Sequence, residues 1–311
     1  MSEDSHGELM PEDGPPELSH LHPTAQRVAG LPAEERLRHV RTDRWIAYPR
    51  AVDALARLEE LFSWPSRQRM PNLLLLGPTN NGKSMIVEKF RRAHPVISHA
   101  DREQIPVLVV QMPSEPSVIR FYTALLAAMG APLRPRQRLA ELEQLALRLL
   151  RALRVRMLVI DELHNVLAGR GETRREFLNL IRFLGNELRI PLVGVGTREA
   201  YLAIRSDDQL ENRFAPLTLP RWEPDAQACS LLASFAAAFP LRRASSIATV
   251  DMARYLLTRS EGTIGELTAL LTDAAVAAIE SGEEAINSRT LLLSDYDGPT
   301  ERRRLFEREL A

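Results

Sequence analysis

Lysine is almost missing from this 311-residue chain: Lys83 and Lys89 are its two lysines, and the other 38 basic residues are arginines. Cysteine is down to one, Cys229, which excludes an intramolecular disulfide and a cysteine-based zinc cluster. Its setting, Cys229-Ser230-Leu231-Leu232, is that of a buried structural thiol rather than a nucleophile. No apolar run approaches the roughly 18 residues of a membrane span. The start carries Glu3, Asp4 and Glu8, where a signal peptide would be basic. A cytoplasmic chain without membrane contact is therefore expected. Excess charge is missing too: a net charge of −1 excludes a globally basic nucleic-acid binder, so any such surface must be local. The hydrophobic share of 45% is enough for one sizeable core and a smaller one.

Residues 1–23 hold six acidic residues, no Lys or Arg, four prolines and the histidines His6, His20 and His22. Such a composition lacks the apolar content to order itself, so residues 1–30 are expected to form an acidic flexible tail with solvated histidines. Residues 31–68 read as a helical segment and connector, including helical spacing over Ala51–Trp64. Strands are expected at Asn72–Leu76, Ile105–Met112, Arg156–Ile160, Pro191–Val195 and Ala215–Leu219. Helical stretches fall between them, near Ser117–Met129, Leu139–Leu153 and Arg174–Leu188. Alternating strands and helices predict an α/β fold with a parallel five-stranded sheet over 69–221. Beyond it a small all-α domain is expected at 222–285, from Ala226–Phe239, Thr249–Arg259 and Ile264–Ser281. Residues 286–311 form an extension whose Arg302-Arg303-Arg304 and Arg308 read as a solvated basic tip.

One of the two lysines stands where phosphate chemistry needs an ammonium. Gly77-Pro78-Thr79-Asn80-Asn81-Gly82-Lys83-Ser84, followed by Met85, fits the pattern G-x-x-x-x-G-K-[ST] between a strand and a helix. The glycines let successive N–H groups converge on phosphate oxygens, and the helix start adds its positive end. Lys83 would reach the β- and γ-phosphates, and Ser84 would place its hydroxyl on Mg²⁺. ATP and Mg²⁺ are the cofactors implied.

Met157-Leu158-Val159-Ile160 runs into Asp161-Glu162 at the carboxyl edge of the sheet. Asp161 would hold the Mg²⁺ shell and Glu162 would polarise the attacking water. His164 reads as a support beside Glu162 or as a structural residue. Thr197 either bonds the γ-phosphate or the attacking water, or simply N-caps the next helix. Arg213, between a helix and a strand, is either an arginine finger for a neighbouring subunit or the partner of Glu211.

Together with Gly196-Thr197, Arg213-Phe214 and the helical C-terminal domain, these motifs resemble an AAA+ P-loop ATPase. Arg44-Trp45-Ile46-x-Tyr48, Arg69-Met70-Pro71-Asn72 and Asp161-Glu162-x-His164 resemble, more narrowly, TniB. TniB and its relative TnsC are ATP-dependent target-selection subunits of heteromeric transposases, and the resemblance covers roughly residues 30–285. It implies a regulator that assembles on double-stranded target DNA as a homo-oligomeric ring or helical filament. The implied partners are an integrase-like transposase and a TniQ-like adaptor, with slow hydrolysis controlling disassembly. By the same analogy Trp45 and Tyr48 lie against the adenine; otherwise they are core aromatics. One departure stands out: Gly265 occupies the place where many AAA+ lids carry a sensor arginine.

A DNA surface needs clustered cations. Seven arginines between Arg134 and Arg156 face only Glu141 and Glu143. Arg136 and Arg138 of that run, with Arg120, are the candidate DNA contacts; the other reading is a solvated arginine-rich face. An AAA+ ATPase that remodels a protein partner without binding DNA is the alternative function. A metabolic P-loop kinase would leave Arg213 without a purpose.

Overall fold

The inner strands of the five-stranded parallel sheet are near-continuous apolar runs because they are buried on both faces and need no alternation of polar residues, whereas the edge strand Phe214–Thr218 is largely exposed. The computed structural model describes residues 18–100, 102–134 and 136–310. In chain order the strands are β1 (Asn72–Leu76), β2 (Ile97–Ser98), β3 (Glu103–Gln104), β4 (Val107–Gln111), β5 (Met157–Asp161), β6 (Leu192–Gly196) and β7 (Phe214–Thr218). The main sheet runs β4-β5-β6-β1-β7, all parallel, and β2 and β3 form a separate antiparallel pair that the sequence pattern does not announce. Leu73 to Leu76 pair with Val193 to Gly196, and Asn72 to Leu76 pair with Phe214 to Thr218. The carboxyl ends of β1, β5 and β6 are thereby aligned at one edge.

Period-two geometry sends alternate strand residues to opposite faces. Leu74, Leu108, Val110, Leu158 and Ile160 share a buried cluster with Phe121, Phe177, Ile181 and Ile204 from the covering helices. Phe121 meets Phe177 edge to face at 5.2 Å. Each fully buried Leu or Phe here contributes about 1.5–3 kcal/mol. The helices Val118–Ala128 and Leu139–Ala152 form a hairpin tied by Tyr122 Oη donating to Glu143 Oε2 at 3.1 Å.

The chain divides into two compact units. Ala47–Glu223 with Leu257–Leu267 carries the sheet; the described parts of Met1–Ile46, Pro224–Leu256 and Thr268–Ala311 form the other. The start of the helix Ile264–Glu280 thus groups with the sheet, not with the residues after Pro224 as expected.

In the second unit Arg36 is buried, 1% exposed. It donates through Nε (3.0 Å) and Nη2 (2.9 Å) to Pro240 O and through Nη1 to Glu284 Oε1 (2.9 Å). Burial pushes the Glu284 carboxyl up, but hydrogen bonds from Arg36 and Arg242 outweigh it and hold it below the usual range.

The expected tail to residue 30 needs correction over its second half. Pro23–Ala29 is a helix with Ala25 and Ala29 buried, and Leu21 packs with them. His22 caps it by accepting from Thr24 N at 3.3 Å, and His20 Nε2 bonds Leu241 O at 3.1 Å, so neither is a free tail residue. Small alanines supply this burial, which a composition count overlooks. The acidic segment 1–17 with His6 lies outside the described residues. The basic tip is a helix, Pro299–Glu309, with no buried residue. No single described helix is long and apolar enough to cross a membrane.

Candidate functional site

β1 delivers the chain to the carboxyl edge of the sheet, where Gly77 begins a tight loop. A β-carbon on Gly77 would meet Leu219 O at 2.7 Å, so glycine is required for the loop to pass the end of β7. Gly82 sits at φ 82 and Asn80 at φ 59, left-handed conformations that suit these residue types. The helix Lys83–Ala93 starts immediately, so its free N–H groups and positive end face the same concavity.

Lys83 is 7% exposed and donates to Gly77 O (2.9 Å) and Pro78 O (2.7 Å). Burial lowers its pKa, while the Asp161 and Glu162 carboxylates pull the other way. The ammonium is folded into the loop whose carbonyls it would leave for phosphate oxygens. Next to it Ser84 Oγ donates to Asp161 Oδ2 at 2.8 Å, bridging the loop to the end of β5. Asp161 Oδ1 accepts from Glu162 N at 2.8 Å.

Glu162 adopts φ 56, ψ 34. A left-handed glutamate costs on the order of 1–3 kcal/mol and persists only where its surroundings hold it. Here Asp161 holds its N–H and His164 Nε2 lies 3.1 Å from Glu162 Oε2. His164 Nδ1 is buried without a hydrogen-bond partner among the described residues. His164 is thus placed beside the Glu162 carboxylate, where it could orient it.

Thr197 occupies the N-cap position of Arg198–Arg205 but makes no capping bond; its hydroxyl goes to the Glu199 carboxylate. Simple capping is thus set aside. That hydrogen bond is the main reason the Glu199 carboxyl sits below its usual range.

Tyr48 stands beside the loop: a β-carbon on Gly82 would lie 3.2 Å from its hydroxyl. Burial pushes its phenol up to about 12. Its ring meets Trp222 edge to face at 5.2 Å, and Arg50 lies over Trp222 at 5.1 Å. Arg50 Nη1 is buried with no hydrogen-bond partner among the described residues. Trp45, half-buried, falls in the other unit. Pro78 and Thr79 lie within the loop, and Met85 is 42% exposed on the first turn after it.

These residues fit a nucleotide with Mg²⁺. Ser84 and Asp161 already face each other as a metal-holding pair would, and the orphaned Arg50 Nη1 offers a donor beside two aromatic rings. Among the described residues no cluster of three His, Cys, Asp or Glu could bind a metal unaided, so Mg²⁺ would arrive with phosphate oxygens.

Sequence reasoning missed Arg50, Trp222 and the contacts of the Asn80-Asn81 pair. Asn81, 3% exposed, donates through Nδ2 to Leu219 O (2.8 Å) and Pro220 O (3.0 Å). Its Oδ1 accepts from Ile264 N at 3.3 Å, and Asn80 O accepts from Gly265 N at 2.9 Å. Two adjacent asparagines inside a phosphate loop are the signal that could have found this latch.

Arg213 lies at the opposite edge of the sheet. Its carbonyl accepts from Asn72 N at 2.9 Å, where β1 begins, and its guanidinium donates to Asn186 Oδ1 at 2.7 Å. The strand between Asn72 and Leu76 spans about 13 Å, which separates Arg213 from its own loop. The alternative pairing with Glu211 is not formed, since Glu211 faces Arg205 at 3.1 Å.

Arg136 and Arg138 are exposed in the loop before Leu139–Ala152. Arg120 is paired with Glu115 at 3.4 Å and sits on the first turn of Val118–Ala128, roughly 12 Å along the helix from that loop. The three are not one cluster.

The fold is shared with known AAA+ ATPases. The Orc1 protein of Aeropyrum pernix, solved in complex with DNA, aligns with TM-score 0.55 at 17% identity over 86% of this chain and 69% of its own. The Walker-type ATPase of Pyrococcus abyssi aligns with TM-score 0.53 at 14% identity, over 88% and 78%. Domain III of the Thermotoga maritima replication initiation protein DnaA gives 0.51 at 14%, over 88% and 96%. At these identities the likeness is one of fold. No curated protein matches. The family model for the bacterial TniB protein matches residues 36–224, more than half of the chain and the whole span from Arg36 past the phosphate loop, Asp161-Glu162 and Arg213. With an AAA+ P-loop fold and that match, the chain belongs to the TniB family.

Proposed function

We propose that this protein is an ATP-dependent regulator of transposition. It assembles on duplex target DNA and recruits or activates an integrase-like transposase, with a TniQ-like adaptor, and hydrolysis controls its disassembly. Family membership supports the process. The single observation that carries the mechanism is the split of the site: the loop and Glu162 stand at one sheet edge and Arg213 at the other. A single subunit therefore lacks the cation that would stabilise the transferred phosphoryl group, and a second subunit must supply it.

Within one subunit the roles divide as follows. Loop amides and Lys83 bind the phosphates, and Ser84 and Asp161 hold Mg²⁺. Mg²⁺ neutralises charge on the phosphate oxygens when bound. Glu162, oriented by His164, takes a proton from the attacking water. Thr197 either orients that water or bonds the γ-phosphate, once its hydroxyl leaves Glu199. Tyr48 and Trp222, with the Arg50 donor, accept the base.

Negative-stain imaging with a non-hydrolysable ATP analogue, with and without duplex DNA, tests the assembly. DNA-dependent rings or filaments are expected. DNA-indifferent oligomers would favour an ATPase that remodels a protein partner, and uniform monomers would contradict both.

A further inference from the structure

At the amino-terminal edge of the sheet, beside the starts of β1 and β7, lies a cavity of about 540 Å³. Arg67, Arg69 and Arg213 line it, with Asp208, Gln209 and Asn212. Two of the acids nearby are committed elsewhere. Asp207 faces Arg182 at 3.6 Å and caps Asp208–Glu211, and Glu211 faces Arg205 at 3.1 Å. Among the described residues, none of the three arginines has a carboxylate within ion-pair distance. Arg213 bonds the neutral Asn186, and Arg67 lies over the Trp64 ring at 4.4 Å. Three cations against the one carboxylate of Asp208 leave an excess suited to a multiply charged anion. Planar guanidinium forks match phosphate oxygens well.

The cavity is built rather than incidental. Asn72, 4% exposed, donates its N–H to Arg213 O and accepts from Leu192 N at 2.9 Å through Oδ1. Met70 is buried and its Sδ accepts from Arg67 N at 3.4 Å. The segment Arg69-Met70-Pro71-Asn72 thus anchors Arg67 and Arg69 to the same strand ends that carry Arg213. Nothing in the subunit's own nucleotide site uses these two arginines.

We propose that the cavity receives the terminal phosphates of a nucleotide held by a second copy of this chain, with Arg67 and Arg69 acting beside Arg213. A head-to-tail assembly in which the carboxyl edge of one sheet, with its phosphate loop, met the amino edge of the next would bring that nucleotide to the cavity. The inference rests on the reading that the loop binds and hydrolyses ATP.

The test uses the full chain with ATP and duplex DNA. The double variant Arg67→Ala/Arg69→Ala changes two exposed side chains. It should lose at least about tenfold in ATPase rate and in nucleotide-dependent assembly, yet bind a fluorescent ATP analogue in dilute solution within about twofold of wild type. Mixing it with Lys83→Ala, inactive alone, should raise the rate above either component, because intact loops then meet intact cations. A wild-type rate in the double variant, or a loss that mixing does not restore, overturns the proposal. Dilute Lys83→Ala titrated with inorganic tripolyphosphate separates the sources. No saturable binding is expected; binding abolished by Arg67→Ala/Arg69→Ala would mean that the cavity takes free polyphosphate and would overturn the assignment to a neighbour. A wild-type chain that never hydrolyses ATP would remove the functional reading and this inference with it, whereas wild-type turnover with an indifferent double variant removes the inference alone.

Discussion

Gly265 lies so close to the phosphate loop that a β-carbon on it would stand 1.8 Å from Asn80 Oδ1. Its N–H donates to Asn80 O at 2.9 Å, while Ile264 N donates to the buried Asn81. The position where many AAA+ lids carry an arginine is here packed against the Asn80 side chain, which any β-carbon at residue 265 would have to displace. Gly265→Arg should therefore not create a sensor. It should displace Asn80 and weaken nucleotide binding, by about tenfold or more if the displacement costs upwards of ~1.4 kcal/mol. Titration with a fluorescent ATP analogue checks this; tighter binding or faster turnover would contradict it.

Glu162→Gln keeps the shape of the side chain and removes its basicity. Nucleotide binding should persist while hydrolysis falls roughly 10²–10⁴-fold, the usual share of a general base. Single-turnover assays with radiolabelled ATP separate the two; undiminished turnover would take Glu162 out of its role.

Arg213→Ala should lower the hydrolysis rate by about 10³-fold or more, the order expected for a cation supplied across an interface. Binding of ATP by isolated subunits should not change, because Arg213 is at the far edge of the sheet from its own loop. A steady-state rate measured beside a binding isotherm reads both; a parallel loss of affinity would place Arg213 in its own subunit's site.

Arg36 and Glu284 are a buried pair in the second unit, and Arg36→Ala strands the carboxylate. A loss of about 3–5 kcal/mol is expected from urea melts at neutral pH. The Glu284 carboxyl is held below its ordinary value of 4.5. Its contribution is therefore present above that pH and lost as pH falls through the folded value. The difference between wild type and Arg36→Ala should shrink on acidification; a constant difference would contradict the pairing.

Substituting Arg120, Arg136 and Arg138 together tests whether this hairpin meets DNA. Each lost phosphate contact should flatten the log–log salt slope by about 0.9. An unchanged slope and affinity would put the DNA on another surface.

The sheet was legible because each strand is a short apolar run stopped by a chemically distinct residue: Gly77 after Leu76, Asp161 after Ile160, Gly196 after Val195. Strand ends shift by one or two residues, no more than fraying explains. The loop, Asp161-Glu162 and Thr197 stand out as candidates because their residue types and spacing fit phosphate and metal chemistry. Contacts between distant positions could not. Trp222 reaches Tyr48, and Gly265 reaches Asn80, across more than 170 residues that no local period records. Arg36 and Glu284 are likewise 248 positions apart. The helix Pro23–Ala29 escaped because its buried face is two alanines, and a window dominated by acids and prolines concealed them.

The claim that the site is shared between subunits is tested most directly by specific ATPase activity as a function of protein concentration, with and without duplex DNA. Activity per subunit should collapse on dilution, rise more steeply than first order as subunits assemble, and be sustained at lower concentration by DNA. A specific activity that is constant down to the monomer, and indifferent to DNA, would contradict the account.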